Sequence, residues 1–126
     1  MVILDTNVII DHLRQPRGAA TLFGEALERY GAGEVGISIL SVQELYEGKS
    51  MSNESKKQDA EKAIGQLEIL PYSLEIAQLG GEIARYRSMP TDFPDAAIAA
   101  TALLNGGNFL TYNKKDFQDI KGLVLI

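Results

Sequence analysis

Val2-Ile3-Leu4 is an unbroken apolar run that ends at Asp5, and the chain passes at once into the apolar-rich segment Val8 to Leu13. A strand with no alternating polar residue has no face suited to water, so both of its sides must be covered. Short apolar stretches recur at Val35 to Leu40, in the brief extended piece Glu68 to Pro71, at Phe109 to Thr111 and at Leu123 to Ile126, with helical patterns between them. Strands that alternate with helices in this way imply a parallel sheet packed on both faces. The expected architecture is α/β, as one domain over residues 1–126.

The helices are read from their spacing. Arg17 to Tyr30 carries Leu22, Phe23, Ala26 and Leu27 on one face, with Glu25, Glu28 and Arg29 outside, and Gly31 to Gly33 ends it. Ser41 is expected to cap a helix containing Val42, Leu45 and Tyr46, with Gly48 as its stop. Lys56 to Leu67 and Ser73 to Arg87 read as amphipathic helices, the second closing at Ser88-Met89-Pro90. Pro90 to Leu104 is apolar almost throughout and stops at Asn105-Gly106-Gly107, and Lys114 to Phe117 reads as a helical turn.

That apolar segment begins with two aspartates, Asp92 and Asp95. A carboxylate beside a dry interior is costly unless it caps a helix or faces a cation. In open parallel sheets ligands collect beyond the carboxyl ends of the strands. Asp5 directly follows the first strand, Glu44 lies one turn into the helix after the second, Asp95 starts the apolar helix, and Asp116 follows the Phe109 to Thr111 strand by a short turn. Each has a structural reading of its own. Asp5 suits a helix cap, Ser41 and Glu44 match a capping box, Asp92 and Asp95 suit a cap and a helix dipole, and Asp116 suits a solvated turn. Their shared edge suggests instead a common site.

Carboxylates gathered together need a counter-charge. Oxygen-only donors favour Mg²⁺ or Mn²⁺, and with no cysteine and a single histidine a structural zinc site is excluded on ligand count. Such a site activates water and stabilises a phosphoryl group, which points to phosphodiester hydrolysis. A net charge of −5 would on its own argue against a nucleic-acid partner, but cations bound among the acids would cancel part of it. The absence of cysteine suits a reducing compartment, and neither a signal peptide nor a membrane-length segment is expected. A cytoplasmic protein with no membrane partner is therefore the expectation.

The segments ILDTNVIIDHL, SILSVQELYEG, DAAIAATALLNGGNFLTYNKKDF and the closing GLVLI, in that order, resemble a PIN-domain ribonuclease of the VapC toxin type. The resemblance implies a three-layer α/β/α sandwich around a mostly parallel sheet, and an endoribonuclease dependent on Mg²⁺ or Mn²⁺. It also implies an RNA substrate, a homodimer, and a small antitoxin protein whose tail enters the acidic groove. On this resemblance Asp5, Glu44 and Asp95 are catalytic and metal-binding residues, and Thr6 helps to hold the site. Asn113 and Asp116 both fall where the family completes it, and either one can do so here. Lys114 and Lys115, beside that loop, are candidates for RNA phosphates, although adjacent lysines also suit a solvated turn.

Two readings from other classes remain beside this one. A phosphoacceptor domain would also place an acid after a strand, but Asp5-Thr6-Asn7 lacks the second aspartate two residues on that aspartate-nucleophile phosphatases use. A catalytically silent module would use the acidic groove only to bind a basic peptide. The string Gly31-Ala32-Gly33-Glu34-Val35-Gly36 matches a dinucleotide fingerprint in letters alone, because a helix precedes it and a strand follows, the reverse of the required order. His12 is expected on the wet side of the first helix, Tyr46 in a core or interface, and Phe109 and Phe117 in packing.

Overall fold

The computed structural model describes residues 1–88 and 90–126. Five parallel strands form one sheet: β1 (Val2–Leu4), β2 (Val35–Ser38), β3 (Glu68–Leu70), β4 (Asn108–Leu110) and β5 (Val124–Leu125), in the order β3-β2-β1-β4-β5. The first strand is thus central, and the order reverses beside it, where a doubly wound sheet opens a crevice at its carboxyl edge.

The helices are α1 (Thr6–Arg14), α2 (Leu22–Tyr30), α3 (Ile39–Tyr46), α4 (Glu54–Ile64), α5 (Leu74–Tyr86) and α6 (Phe93–Leu104), with 3-10 turns at Lys49–Ser52 and Lys114–Asp116. Strand alternation divides the interior in two. Val2 and Leu4 point into a core shared with Val8 and Ile9 of α1, Phe23 of α2, Leu45 of α3 and Ile64 of α4. Ile3 points the other way, with Phe109, and meets Ile98, Ala99 and Ala102 of α6 together with Phe117 and Ile120. Helix α5 packs on α6. The result is the expected three-layer sandwich.

Helix α6 is buried without interruption from Ala96 to Ala102, because the sheet covers one side and α5 the other. Its alanines and Gly80 of α5 let the two backbones approach closely: a Cβ placed on Gly80 would lie 3.5 Å from Ala97 Cα. Full burial of a side chain such as Ile98 contributes about 1.5–3 kcal/mol. Gly106 and Gly107, both at positive φ, turn the chain from α6 back into β4. Phe109 and Phe117 pack edge to face at 4.9 Å between centroids.

Several boundaries differ from the expectation. The second helix begins at Leu22 rather than Arg17, because Gly18 adopts φ 84° and the Thr21 side chain caps the helix by accepting from the Gly24 amide at 3.1 Å. Strand β2 ends at Ser38, whose hydroxyl accepts from Leu40 N at 3.1 Å and so caps α3. Ser41 therefore lies inside the helix, and the expected capping box with Glu44 does not form. Helix α4 starts earlier and ends earlier than expected, capped by Asn53. The expected close of α5 at Ser88-Met89-Pro90 includes Met89, which lies outside the described residues; the helix itself ends at Tyr86. His12 is half-buried rather than a surface residue, stacked on Phe23 at 4.3 Å with its Nδ1 2.7 Å from Thr21 Oγ1. Tyr46 is 42% exposed, so it is no core residue.

Candidate active site

At the carboxyl edge of β1 the chain passes directly into α1, and Asp5 stands at that junction, only 6% exposed. Both of its oxygens are engaged. Oδ1 accepts from the Thr6 amide at 2.8 Å, and Oδ2 accepts from the Thr111 hydroxyl at 2.7 Å. Burial raises the Asp5 pKa above the ordinary aspartate value; the Thr111 and Thr6 hydrogen bonds oppose that, and the charge of Asp116 adds to it.

Thr111 follows β4 and is itself buried. Besides donating to Asp5, its oxygen accepts from the Asn113 amide at 3.0 Å and from Asn7 Nδ2 at 3.4 Å. The hydroxyl's single proton and both of its lone pairs are thus used. Asp5 is in this way joined to the loop that carries Asn113 and Asp116.

Glu44 is held from α1. Thr6 Oγ1 lies 2.7 Å from Glu44 Oε1 and 2.8 Å from Ser41 Oγ. A carboxylate can only accept, so the Thr6 proton goes to Glu44 and Ser41 supplies its own proton to Thr6. The relay Ser41–Thr6–Glu44 fixes α3 against α1 across the crevice. Ser41, which fits no capping box, is buried for this purpose.

Asp95 lies in the first turn of α6, half-buried. Asp92 occupies the cap position without a side-chain cap bond. The pKa of Asp95 is pushed up to about 6, first by burial and then by the charges of Asp5, Glu44, Asp92 and Asp116. Four acids far apart in sequence therefore share one electrostatic neighbourhood. Among the described residues no three of them close into a preassembled ligand cluster. Mg²⁺ keeps several of its waters and binds through few carboxylates, so acids separated in this way still suit it. The oxygen-only donors and the unrelieved repulsion at Asp95 fit a hard divalent cation.

Asn113, Lys114, Lys115 and Asp116 are all exposed on the 3-10 turn after β4. Arg87, at the end of α5, braces that turn. It donates to both carboxylate oxygens of Asp119, at 2.8 Å and 3.2 Å, to Thr91 Oγ1 at 2.7 Å and to the backbone carbonyl of Asp116. It thereby ties the turn carrying Asp116 to the segment leading into Asp95. Sequence reasoning did not single out Thr111, Ser41, Asn7 or Arg87 for the site. The position of Thr111, just beyond a buried strand at the same edge as Asp5, was the one available signal.

The chain is similar to known proteins over nearly its whole length. The PIN domain pattern matches residues 2–123. "Ribonuclease VapC19" of Mycobacterium tuberculosis is 33% identical over 120 residues, which span 93% of this chain and 92% of that protein. Among solved structures, a toxin-antitoxin complex from Klebsiella pneumoniae is similar at 28% identity and a TM-score of 0.77, over 98% of this chain and 96% of its counterpart. DNA-bound VapBC from Salmonella typhimurium is similar at 26% identity and a TM-score of 0.82, over 99% and 96%.

Proposed function

The chain belongs to the PIN domain family, and from that premise we propose that it is a metal-dependent endoribonuclease, the toxin of a toxin–antitoxin pair. The observation that carries the chemistry is the crowding at Asp95, whose carboxyl is held near pKa 6 by burial and by the acids around it. Asp5, Glu44, Asp95 and Asp116 would hold Mg²⁺ or Mn²⁺, directly or through water. The ion, when bound, supplies the charge that activates water and stabilises the phosphoryl oxygens.

The chain's own residues do the rest. Thr111 and the Thr6 amide each bond one oxygen of the Asp5 carboxylate and fix its orientation. The Thr6 hydroxyl sets the position of Glu44, which orients the attacking water. Asn113 and Asp116 border the crevice on the opposite side, where Lys114 and Lys115 would receive phosphates of the RNA strand.

A small antitoxin is the proposed protein partner, as in the similar complexes. A homodimer is proposed on the exposed apolar side chains of Leu74, Tyr86 and Phe93 on α5 and α6, which offer it a surface. The proposed setting is the cytoplasm, with residues 1–126 acting as one domain; among the described residues no helix is long and apolar enough to cross a membrane.

The test is cleavage of labelled single-stranded RNA by the purified chain with Mn²⁺, with Mg²⁺ and with chelator. Cleavage that requires the ion, and that Asp5→Asn abolishes, supports the reading. Cleavage unaffected by chelator contradicts it.

A further inference from the structure

A cavity of about 330 Å³ opens between α1, α3 and the start of α4, and Glu44 forms part of its wall. Three cations border it: Arg14 at the end of α1, Lys49 in the 3-10 turn and Lys56 in the first turn of α4. All three are exposed, and among the described residues none makes an ion pair or a side-chain hydrogen bond. The acid beside them is already matched, since Asp59 pairs with Arg17 at 3.0 Å. Glu44, the other carboxylate, is engaged by Thr6. Leu13, Leu45 and Met51 give the cavity an apolar wall.

Resting on the ribonuclease reading, we propose that this cavity binds the nucleotide next to the scissile bond: its phosphate on Arg14, Lys49 and Lys56, and its base against the apolar wall. The chain's net charge is −5, and its reacting acids repel a polyanion, so local positive charge must offset that repulsion where the strand enters. Cations without partners beside an acid of the site meet this need. Because Glu44 belongs to both the cavity and the acidic crevice, a strand seated here continues directly into the crevice. Lys114 and Lys115 lie on the far side of the acids, so the strand is held by cations on both flanks. Apolar walls with charged rims suit unpaired bases, and the ligand is therefore single-stranded RNA.

The test uses the full chain and a fluorescein-labelled single-stranded RNA of mixed sequence. Binding is followed by anisotropy in an Asp95→Asn background across a range of salt, and cleavage with Mn²⁺ is followed in the parent. Replacing Arg14, Lys49 and Lys56 by alanine raises both Kd and KM, leaves Mn²⁺ affinity unchanged, and makes the salt slope shallower by about 2, at about 0.7 per cation. The charge-conserving set Arg14→Lys, Lys49→Arg and Lys56→Arg restores binding, which separates the effect from misfolding. Lys121→Ala removes one unit of charge outside the cavity and changes neither Kd nor slope. If the parent cleaves RNA while the triple alanine variant binds it with an unchanged slope, the inference is overturned and the ribonuclease reading stands. Loss of affinity for a polyglutamate peptide, with RNA binding intact, overturns it in favour of a peptide site. If the parent cleaves no RNA with any divalent ion, the underlying reading fails and the inference falls with it.

Discussion

Thr111 Oγ1 stands 2.7 Å from Asp5 Oδ2 and gives it its only proton, which joins the first and fourth strands at the point where both leave the sheet. Replacing Thr111 by valine keeps the shape and removes the donor. A buried carboxylate oxygen left without its partner costs about 1–3 kcal/mol of folding stability. Loss of that hydrogen bond also moves the Asp5 pKa further upward, so Mn²⁺ affinity falls. Thr111→Ser restores both. Denaturant unfolding and Mn²⁺ titration of the two variants check this.

Thr6 acts on Glu44 in the same way across the crevice. Thr6→Val breaks the relay from Ser41 and frees the glutamate to turn to solvent. Partners of this kind are worth on the order of 10–100-fold in metal affinity or activity. RNA cleavage by Thr6→Val therefore drops by about that factor, while Thr6→Ser stays near the parent. Equal rates for valine and serine variants would show that the hydroxyl does nothing for Glu44.

The pH dependence of stability follows from Asp95. Its pKa in the folded chain, about 6, is above the ordinary 3.8, so it contributes stability that is complete below about pH 4 and is lost as pH rises through about 6. Asp5 acts in the same direction. Asp119 acts in the opposite one, since hydrogen bonding from Arg87 lowers its pKa and its contribution disappears only as pH falls below the ordinary value. In chelator, the thermal midpoint therefore declines between pH 4 and 7. Saturating Mn²⁺ reverses that decline, and Asp95→Asn flattens it. Thermal melts at stepped pH, with and without the ion, measure all three.

Arg87 binds four acceptor atoms on three residues while its side chain is only 6% exposed. Arg87→Met removes the brace between the Asp116 turn and the approach to α6, and costs about 2 kcal/mol, in the range of hydrogen bonds to charged groups. Asp119 is a third exposed, so solvent recovers part of the loss. Arg87→Lys does not restore it, because a lysine ammonium cannot reproduce the planar fork. Midpoints of chemical unfolding for the two variants decide the point.

The sheet and the places of its acids were legible because the short apolar runs Val2 to Leu4, Val35 to Leu40 and Phe109 to Thr111 alternate with helical patterns and leave few other solutions. The helix starts were less so. Ser38 and Ser41 are both good caps with apolar residues between them, and only the geometry of the exit from β2 selects Ser38. Arg17 to Thr21 continues a helical pattern in letters, yet Gly18 in the left-handed region breaks it. The site roles of Thr111, Ser41 and Arg87 were missed for a different reason: they lie in contacts between residues 29 to 106 positions apart, which no local pattern encodes. His12 looked solvent-facing on the helix, but Phe23 from α2 covers it.

The central claim is that acids distant in sequence meet to hold a divalent ion. Isothermal titration of Mn²⁺ into the parent and into Asp95→Asn, at a pH above 6 where the Asp95 carboxyl is ionised, tests it most directly. The account predicts saturable binding by the parent and at least a tenfold loss in Asp95→Asn, with both proteins folded. Equal Mn²⁺ affinity in the two would contradict it.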